Sequence, residues 1–194
     1  MFKTFFITAA LVGSAAALCA QTYPDTFKVS YFSNDPVLVH ITSQGADLGP
    51  VPGPGLSPQA SPAVTPPGNS CAMIYVFDPN QELSECCGCK LTPNGLRTLD
   101  GANLLSNPLT GVALSTGSIE IISSTGYPTC NPSKPVPSPA LTAWATHTQA
   151  TATTETPLLD SNLSTAELNL LAKKCGAIQS NGSGFGKCTC GTGD

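Results

Sequence analysis

Closely spaced cysteines are the residues of this sequence with the clearest chemical potential. The chain has 194 residues and contains nine cysteines. Eight of them follow residue 20: Cys71, Cys86, Cys87, Cys89, Cys130, Cys175, Cys188 and Cys190. Thiolates as close as those in Cys86-Cys87-Gly88-Cys89 and Cys188-Thr189-Cys190 can bind one soft cation, such as Zn²⁺ or Cu⁺. The pair Cys86 and Cys89 also has the C-x-x-C spacing of dithiol redox motifs.

Structural disulfides are nevertheless the favoured interpretation, because an even number of cysteines in an exported chain normally oxidises in pairs. A redox C-x-x-C needs a helix after its first cysteine to favour the thiolate, but Lys90 to Gly95 predict a turn. We therefore predict up to four disulfides among the eight cysteines, with the connectivity open. A thiolate metal site formed by Cys86, Cys87, Cys89, Cys188 and Cys190 is the alternative.

Motifs for catalysis or cofactor binding are absent from the sequence. It contains no Gly-x-Ser-x-Gly, no His-Glu-x-x-His and no phosphate-binding glycine loop. The two histidines, His40 and His147, both fall on expected strands, and a zinc site shared by them would need further ligands. Four acidic residues are candidates for the carboxylate pair of a glycoside hydrolase: Asp78, Glu82, Glu85 and Glu120. We therefore predict no cofactor and assign no catalytic residue.

The first 20 residues predict a secretory signal peptide. Lys3 precedes an uncharged apolar run that changes from large residues to alanines before Ala20. A membrane span is a weaker interpretation, because a spanning helix needs about 20 apolar residues and no basic stop follows. Cys19 makes a bacterial lipoprotein an alternative, although the residues before it reverse the usual lipobox order. If Cys19 is lost with the signal, the remaining cysteines can all pair.

Composition restricts the partners of the exported part. Removal of residues 1–20 from the 194 leaves 174 residues, a size that suits one domain, residues 21–194. Its charge is seven basic minus twelve acidic residues, or −5, because Lys3 leaves with the signal. The few Lys and Arg residues are not clustered, so we predict neither a nucleic-acid partner nor an anionic membrane surface.

Alternation of apolar and polar residues predicts short strands along the chain. The segments 26–32 and 37–41 predict strands that an Asn34-Asp35-Pro36 turn would join into a hairpin. The segment 71–77 is apolar on both faces and predicts the central strand of the core. Further strands are predicted at 96–99, at 112–114 with 119–122 as a second hairpin, and at 141–148. Seven prolines make residues 50–68 an extended surface loop.

One helix is predicted, over residues 164–177. Ser164 and Glu167 have the spacing of a capping box at its start. Leu168, Leu171 and Cys175 then fall on one face, so Cys175 is placed to link the helix to the strands. The fold class that follows is mainly β: a single β-sandwich-like domain with a Pro-rich loop insertion and one C-terminal α-helix, held by disulfides.

Three motifs resemble a group of predicted exported proteins from soil bacteria. They are the run from Cys71 to Glu82, the sequence Glu85-Cys86-Cys87-Gly88-Cys89, and Asn107-Pro108-Leu109-Thr110-Gly111; the closing Cys188-Thr189-Cys190 fits the same group. The resemblance covers most of the chain after residue 20. The group has no assigned function, so the resemblance implies bacterial export and transfers no catalytic residue.

Three functions are compatible with these observations. The first is an exported, non-enzymatic structural, adhesive or surface-binding protein, which acts at the cell surface, in the periplasm or outside the cell on a ligand that the sequence does not identify. The second is the thiolate metal-binding protein described above. The third is a secreted hydrolase whose site matches no known motif. The lack of any catalytic motif favours the first.

Overall fold

The computed structural model describes residues 25–33, 37–43, 68–101, 106–107, 112–113, 115–180, 188 and 190. The predicted signal peptide and lipidation site lie outside the described residues, as does all of the predicted Pro-rich loop except Gly68. The described residues form eleven strands: β1 (Phe27–Ser33), β2 (Val37–Ser43), β3 (Ser70–Phe77), β4 (Leu83–Leu91), β5 (Leu96–Asp100), β6 (Ser106–Asn107), β7 (Val112–Ala113), β8 (Thr116–Thr125), β9 (Val136–Pro137), β10 (Leu141–Gln149) and β11 (Ala152–Pro157). They also form one long helix, α1 (Thr165–Ser180).

Two antiparallel sheets and the helix make three layers. Sheet 1 has the order β1-β8-β3-β4, with β9 paired to the end of β8, and sheet 2 has the order β11-β10-β2-β5. The inner faces of both sheets meet in one core, which includes Ile74, Val39 and Leu141. The opposite face of sheet 1 packs on α1 through residues such as Met73 and Leu171. The predicted mainly β, sandwich-like fold with one disulfide-linked helix is confirmed.

Burial of sheet 1 on both faces explains the sequence of β3. Each of its residues up to Val76 is buried, with even-numbered side chains in the core between the sheets and odd-numbered ones toward the helix. A strand covered on both faces loses the alternation of a half-exposed strand and becomes continuously apolar. The prediction of a central strand at 71–77 is therefore confirmed, with β8 and β4 on its two sides.

Both predicted hairpins are wrong. Although β1 and β2 are adjacent in sequence, β1 pairs with β8 in sheet 1 and β2 pairs with β10 and β5 in sheet 2. Likewise, β7 pairs with β6, whereas β8 pairs with β1 and β3. A local turn signal predicts where the chain reverses, but a sandwich buries more apolar surface when the strand after the turn joins the opposite sheet.

The helix begins as predicted and ends later. The Glu167 backbone N–H donates a 3.1 Å hydrogen bond to Ser164 Oγ, which confirms Ser164 as the N-cap. The predicted end at residue 177 is three residues short, because the helix continues through Gly176 to Ser180. A glycine within a helix lowers the stability of the helix by about 1 kcal/mol relative to alanine. Packing of the helix on sheet 1 offsets this amount. Ile178, beyond the glycine, packs against the same cluster as Leu171.

Gly88 in β4 is required by a close backbone contact. A Cβ atom at this position would overlap the carbonyl oxygen of Cys130, and a backbone group has little room to move. We expect Gly88→Ala to lower the free energy of unfolding by about 3 kcal/mol, measured by urea denaturation. Gly68→Ala is the matched control, because no atom of the described residues lies within 4 Å of the added atom. Equal stabilities of the two variants would contradict the proposed overlap.

Candidate functional site

All eight cysteines that follow residue 20 form disulfides. The bonded pairs are Cys71–Cys130, Cys86–Cys175, Cys87–Cys188 and Cys89–Cys190. The prediction of disulfides is confirmed, and the structure supplies the connectivity that the sequence left open. Four disulfides indicate an oxidising, extracytoplasmic environment.

Neighbouring cysteines of β4 point to opposite faces of sheet 1. Successive side chains of a strand alternate between faces, so Cys86 points toward α1 and bonds Cys175, whereas Cys87 and Cys89 point into the core between the sheets. The five cysteines of the alternative metal site are therefore not all brought together, because Cys86 lies on the other face of the strand. The C-x-x-C pair Cys86 and Cys89 is divided in the same way.

Two of the four disulfides join the C-terminal segment to β4. Both disulfides span 101 residues, from Cys87 to Cys188 and from Cys89 to Cys190. Of the two β4 cysteines in these bonds, the first bonds the first cysteine of the C-terminal segment, and the second bonds the second. The chain direction from Cys188 to Cys190 is therefore parallel to the direction from Cys87 to Cys89 in β4. The Sγ atoms of Cys87, Cys89 and Cys190 all lie within 4.8 Å of one another.

The two histidines do not share a site. His40 pairs in register with Trp144 and faces outward from sheet 2, while His147 pairs with Val37, whose side chain is buried in the core. Since antiparallel partners point to the same face, the histidines lie on opposite faces of sheet 2. A metal site that combines them is thus excluded by the strand register.

Sheet 1 carries one buried carboxyl group, that of Glu85, and one half-buried carboxyl group, that of Glu120, again on opposite faces. Glu85 pairs with Val76 on the inner face, and Glu120 pairs with Tyr75 on the face toward α1. Burial raises the pKa of Glu85 to about 8. Burial and the nearby Glu167 carboxylate raise the pKa of Glu120 to about 7, with Lys174 opposing the shift. Because the sheet separates the two carboxyls, they cannot flank one glycosidic bond as a catalytic pair.

The other two acidic candidates belong to a turn. Asp78 Oδ1 accepts hydrogen bonds from the backbone N–H groups of Asn80 at 2.9 Å and Glu82 at 2.8 Å. These bonds close the connection between β3 and β4, a common role of aspartate in turns. Asp78 therefore stabilises the turn through its carboxylate, whereas Glu82 takes part through its backbone N–H.

The outward-facing surface of sheet 2 carries two stacked aromatic side chains surrounded by threonines. We call this surface the outer face. Strand register places six side chains at its centre: His40, Thr42, Thr98, Thr142, Trp144 and Thr146. The charged residues that the register assigns to this face are Asp100 and Glu155, on a neighbouring row. The register also places the exposed Leu38 and Leu96 on this face. The outer face is therefore largely polar with an apolar contribution, almost uncharged, and built on four hydrogen-bonded strands.

The aromatic pair is held in place by its neighbours. The rings of His40 and Trp144 stack with centroids 5.1 Å apart and an interplanar angle of 23°. Nδ1 of His40 lies 2.9 Å from Thr98 Oγ1, and Nε2 lies 2.9 Å from Thr146 Oγ1. With both ring nitrogens hydrogen-bonded, the imidazole cannot rotate freely, and it supports one side of the partly exposed indole.

No protein-family model, no curated protein and no solved structure matches the chain. Within the described residues, no helix has the length and apolar character needed to cross a membrane.

The outer face was not identified from the sequence, although the strand that contains Trp144 was predicted. Residues 141–148 alternate, and Ala143 and Ala145 are buried whereas Trp144 is partly exposed. A tryptophan in phase with threonines and out of phase with buried alanines is a signal for an exposed aromatic residue. What the alternation could not show is that His40, about 100 residues earlier in the chain, lies beside that tryptophan.

Proposed function

We propose that this protein is an exported, non-enzymatic binding protein whose outer face attaches to an uncharged polysaccharide at an extracellular surface. The observation that carries the proposal is the His40–Trp144 stack among threonine hydroxyls on a rigid sheet. A weakly charged surface built on four hydrogen-bonded strands suits an extended and weakly charged ligand.

The chemistry of the outer face matches that of a sugar chain. One face of a sugar ring is lined by C–H groups and packs on an aromatic ring, while its hydroxyls both donate and accept hydrogen bonds. Trp144 supplies a large apolar surface with few rotatable bonds, which makes tryptophan a frequent source of binding energy. The threonine hydroxyls supply donors and acceptors. No Lys or Arg is assigned to the face by the strand register, which disfavours a polyanionic ligand.

The expected location of the protein outside the cytoplasm agrees with a polysaccharide ligand. The N-terminal signal sequence and the four disulfides support a location outside the cytoplasm, at the cell surface, in the periplasm or in the medium. The resemblance to exported proteins of soil bacteria supports an environment rich in plant and microbial polysaccharides. A hydrolase is disfavoured, because the carboxyls of Glu85 and Glu120 lie on opposite faces of sheet 1.

We expect Trp144→Ala to weaken binding to an insoluble neutral polysaccharide by at least about 30-fold, the factor that corresponds to 2 kcal/mol at a binding hot spot. The measurement is a pull-down isotherm of the purified protein on cellulose, chitin and mannan. Tyr31→Ala is the matched control, because Tyr31 is an aromatic strand residue of sheet 1 that is 78% exposed.

Two results would reject the polysaccharide assignment. One is that the wild-type protein remains in solution with all three polysaccharides. The other is that Tyr31→Ala reduces binding as much as Trp144→Ala, which would mean that the outer face has no special role. Release of reducing sugars during incubation would instead support the hydrolase.

A further inference from the structure

Two neighbouring disulfides between β4 and the C-terminal segment bring four sulfurs together. The Sγ atoms of Cys87, Cys89 and Cys190 lie within 4.8 Å of one another. Cys188 Sγ lies outside this group of three but is bonded to Cys87 Sγ, which keeps it next to the group. Among the cysteines that the structure describes, no other group of three sulfurs is this compact. We propose that reduction of these two disulfides creates a tetrathiolate binding site for a soft divalent cation of the Zn²⁺ type.

The geometry requires only small movements. Tetrahedral Zn²⁺ with Zn–S bonds of about 2.3 Å places neighbouring sulfurs about 3.8 Å apart. The Cys87 sulfur is already within 4.8 Å of both sulfurs of the Cys89–Cys190 disulfide. Reduction lets the bonded sulfurs separate and lets Cys188 Sγ move toward the other three. The main chains are already aligned, with Cα–Cα distances of 5.2 Å for Cys87–Cys188 and 5.3 Å for Cys89–Cys190.

The four cysteine ligands come from two parts of the chain, β4 and the C-terminal segment. Cys87 and Cys89 are two apart in β4, so both point to the inner face of sheet 1. Cys188 and Cys190 are also two apart and run parallel to them. The strand β4 and the C-terminal segment therefore each offer two thiolates to this region, and four thiolates are a donor set that favours Zn²⁺ or another soft cation.

The four cysteines differ in their exposure to solvent. Cys89 is fully buried, and Cys87 and Cys190 are at most 9% exposed, whereas Cys188 is only half-buried. A reductant therefore reaches the Cys87–Cys188 disulfide through Cys188 Sγ. Once formed, the cation site would be shielded from water by the sandwich core.

The reaction balances with an external dithiol as reductant. For each disulfide, one dithiol transfers two electrons and two protons, and the dithiol becomes a cyclic disulfide while two cysteine thiols form. Two dithiols thus convert both disulfides into four thiols. Binding of one Zn²⁺ then releases four protons to solvent as four Zn–S bonds form.

The test compares the oxidised and reduced forms of the purified full chain. The protein is treated with dithiothreitol under native conditions, the reductant is removed without air, and alkylation with mass spectrometry identifies the thiols that have formed. Zn²⁺ is then added against a chromophoric chelator, and native mass spectrometry counts the bound ions. Co²⁺ serves as a second probe, because its visible absorption reports tetrahedral thiolate ligation.

We expect about one bound Zn²⁺ per reduced wild-type molecule and none per oxidised molecule. Cys188→Ala/Cys190→Ala should bind none after reduction, because two of four ligands are missing. The matched control is Cys71→Ala/Cys130→Ala, which removes a disulfide on the other face of sheet 1 and should still bind about one.

Three outcomes would overturn the proposal. One is that reduced wild-type protein, with Cys87, Cys89, Cys188 and Cys190 shown to be thiols, fails to compete with the chelator. Another is that the Cys188→Ala/Cys190→Ala variant binds as much Zn²⁺ as wild type, which would place the metal elsewhere. The third is that reduction abolishes the strand signal in circular dichroism without recovery on Zn²⁺ addition.

Discussion

Replacing Cys86 and Cys175 together with alanine is expected to lower the free energy of unfolding by about 4 kcal/mol. The disulfide joins β4 to α1 across 89 residues of sequence, and closure of so long a loop strongly restricts the unfolded chain. The other disulfides already restrict part of the same chain, so the effect is smaller than the loop length alone implies. Native stabilities of small domains are only about 5–15 kcal/mol, so most of the margin would be lost.

The same variant should loosen the helix before the sandwich. Few buried side chains of α1 anchor it to sheet 1, chiefly Leu171 and Cys175. Amide hydrogen exchange should therefore accelerate in α1 more than in β3. Leu170→Ala is the control on the same helix, because Leu170 is 49% exposed and makes no part of the buried cluster. An unchanged urea midpoint in the double alanine variant would contradict this role of the disulfide.

A second large effect is expected from pH, through Glu85. Burial raises the pKa of this carboxyl from 4.5 to about 8, so the folded protein keeps it neutral at pH values where the unfolded chain ionises it. Its contribution to stability is therefore fully present below about pH 4.5 and is lost as the pH rises through 8. At pH 7 the burial of Glu85 therefore lowers the free energy of unfolding by about 3 kcal/mol relative to pH 4.5, because each pH unit between these values contributes about 1.4 kcal/mol.

Glu85→Gln removes this dependence. The variant should be more stable than wild type at pH 7–8 by up to about 3 kcal/mol, and its stability should change less between pH 5 and pH 8. Glu120, with a pKa raised to about 7, acts in the same direction, so Glu85→Gln/Glu120→Gln should flatten the profile further. Urea denaturation at several pH values measures both variants.

Glu155→Gln is the control for a carboxyl that the fold does not bury, because Glu155 is exposed on β11. It should leave the pH profile of wild type unchanged. If wild type became more stable as the pH rose from 5 to 8, the sign of the predicted effect would be wrong. Measurements above pH 8.5 are avoided, since disulfides exchange faster as thiolates form.

The class of this protein could be predicted from local patterns. The number of cysteines predicted the disulfides, alternation predicted most strands of both sheets, and the Ser164 cap predicted the start of α1. Such patterns succeed because they depend on neighbours in the chain: a strand alternates every two residues, and an N-cap bonds a group three residues away. The same logic failed at Gly176, where packing of the helix on sheet 1 extends it beyond a weak local residue.

The pairing of distant residues was decided by the tertiary structure alone. Cys86 and Cys87 are adjacent in sequence, yet one bonds the helix and the other the C-terminal segment, because a strand directs successive side chains to opposite faces. The sandwich likewise sends β1 and β2 to different sheets and brings His40 beside Trp144. Thus the sequence by itself determined the kinds of elements and the presence of disulfides. The outer face and the four-sulfur group exist only because apolar burial between the sheets sets the register of strands that are far apart in the chain.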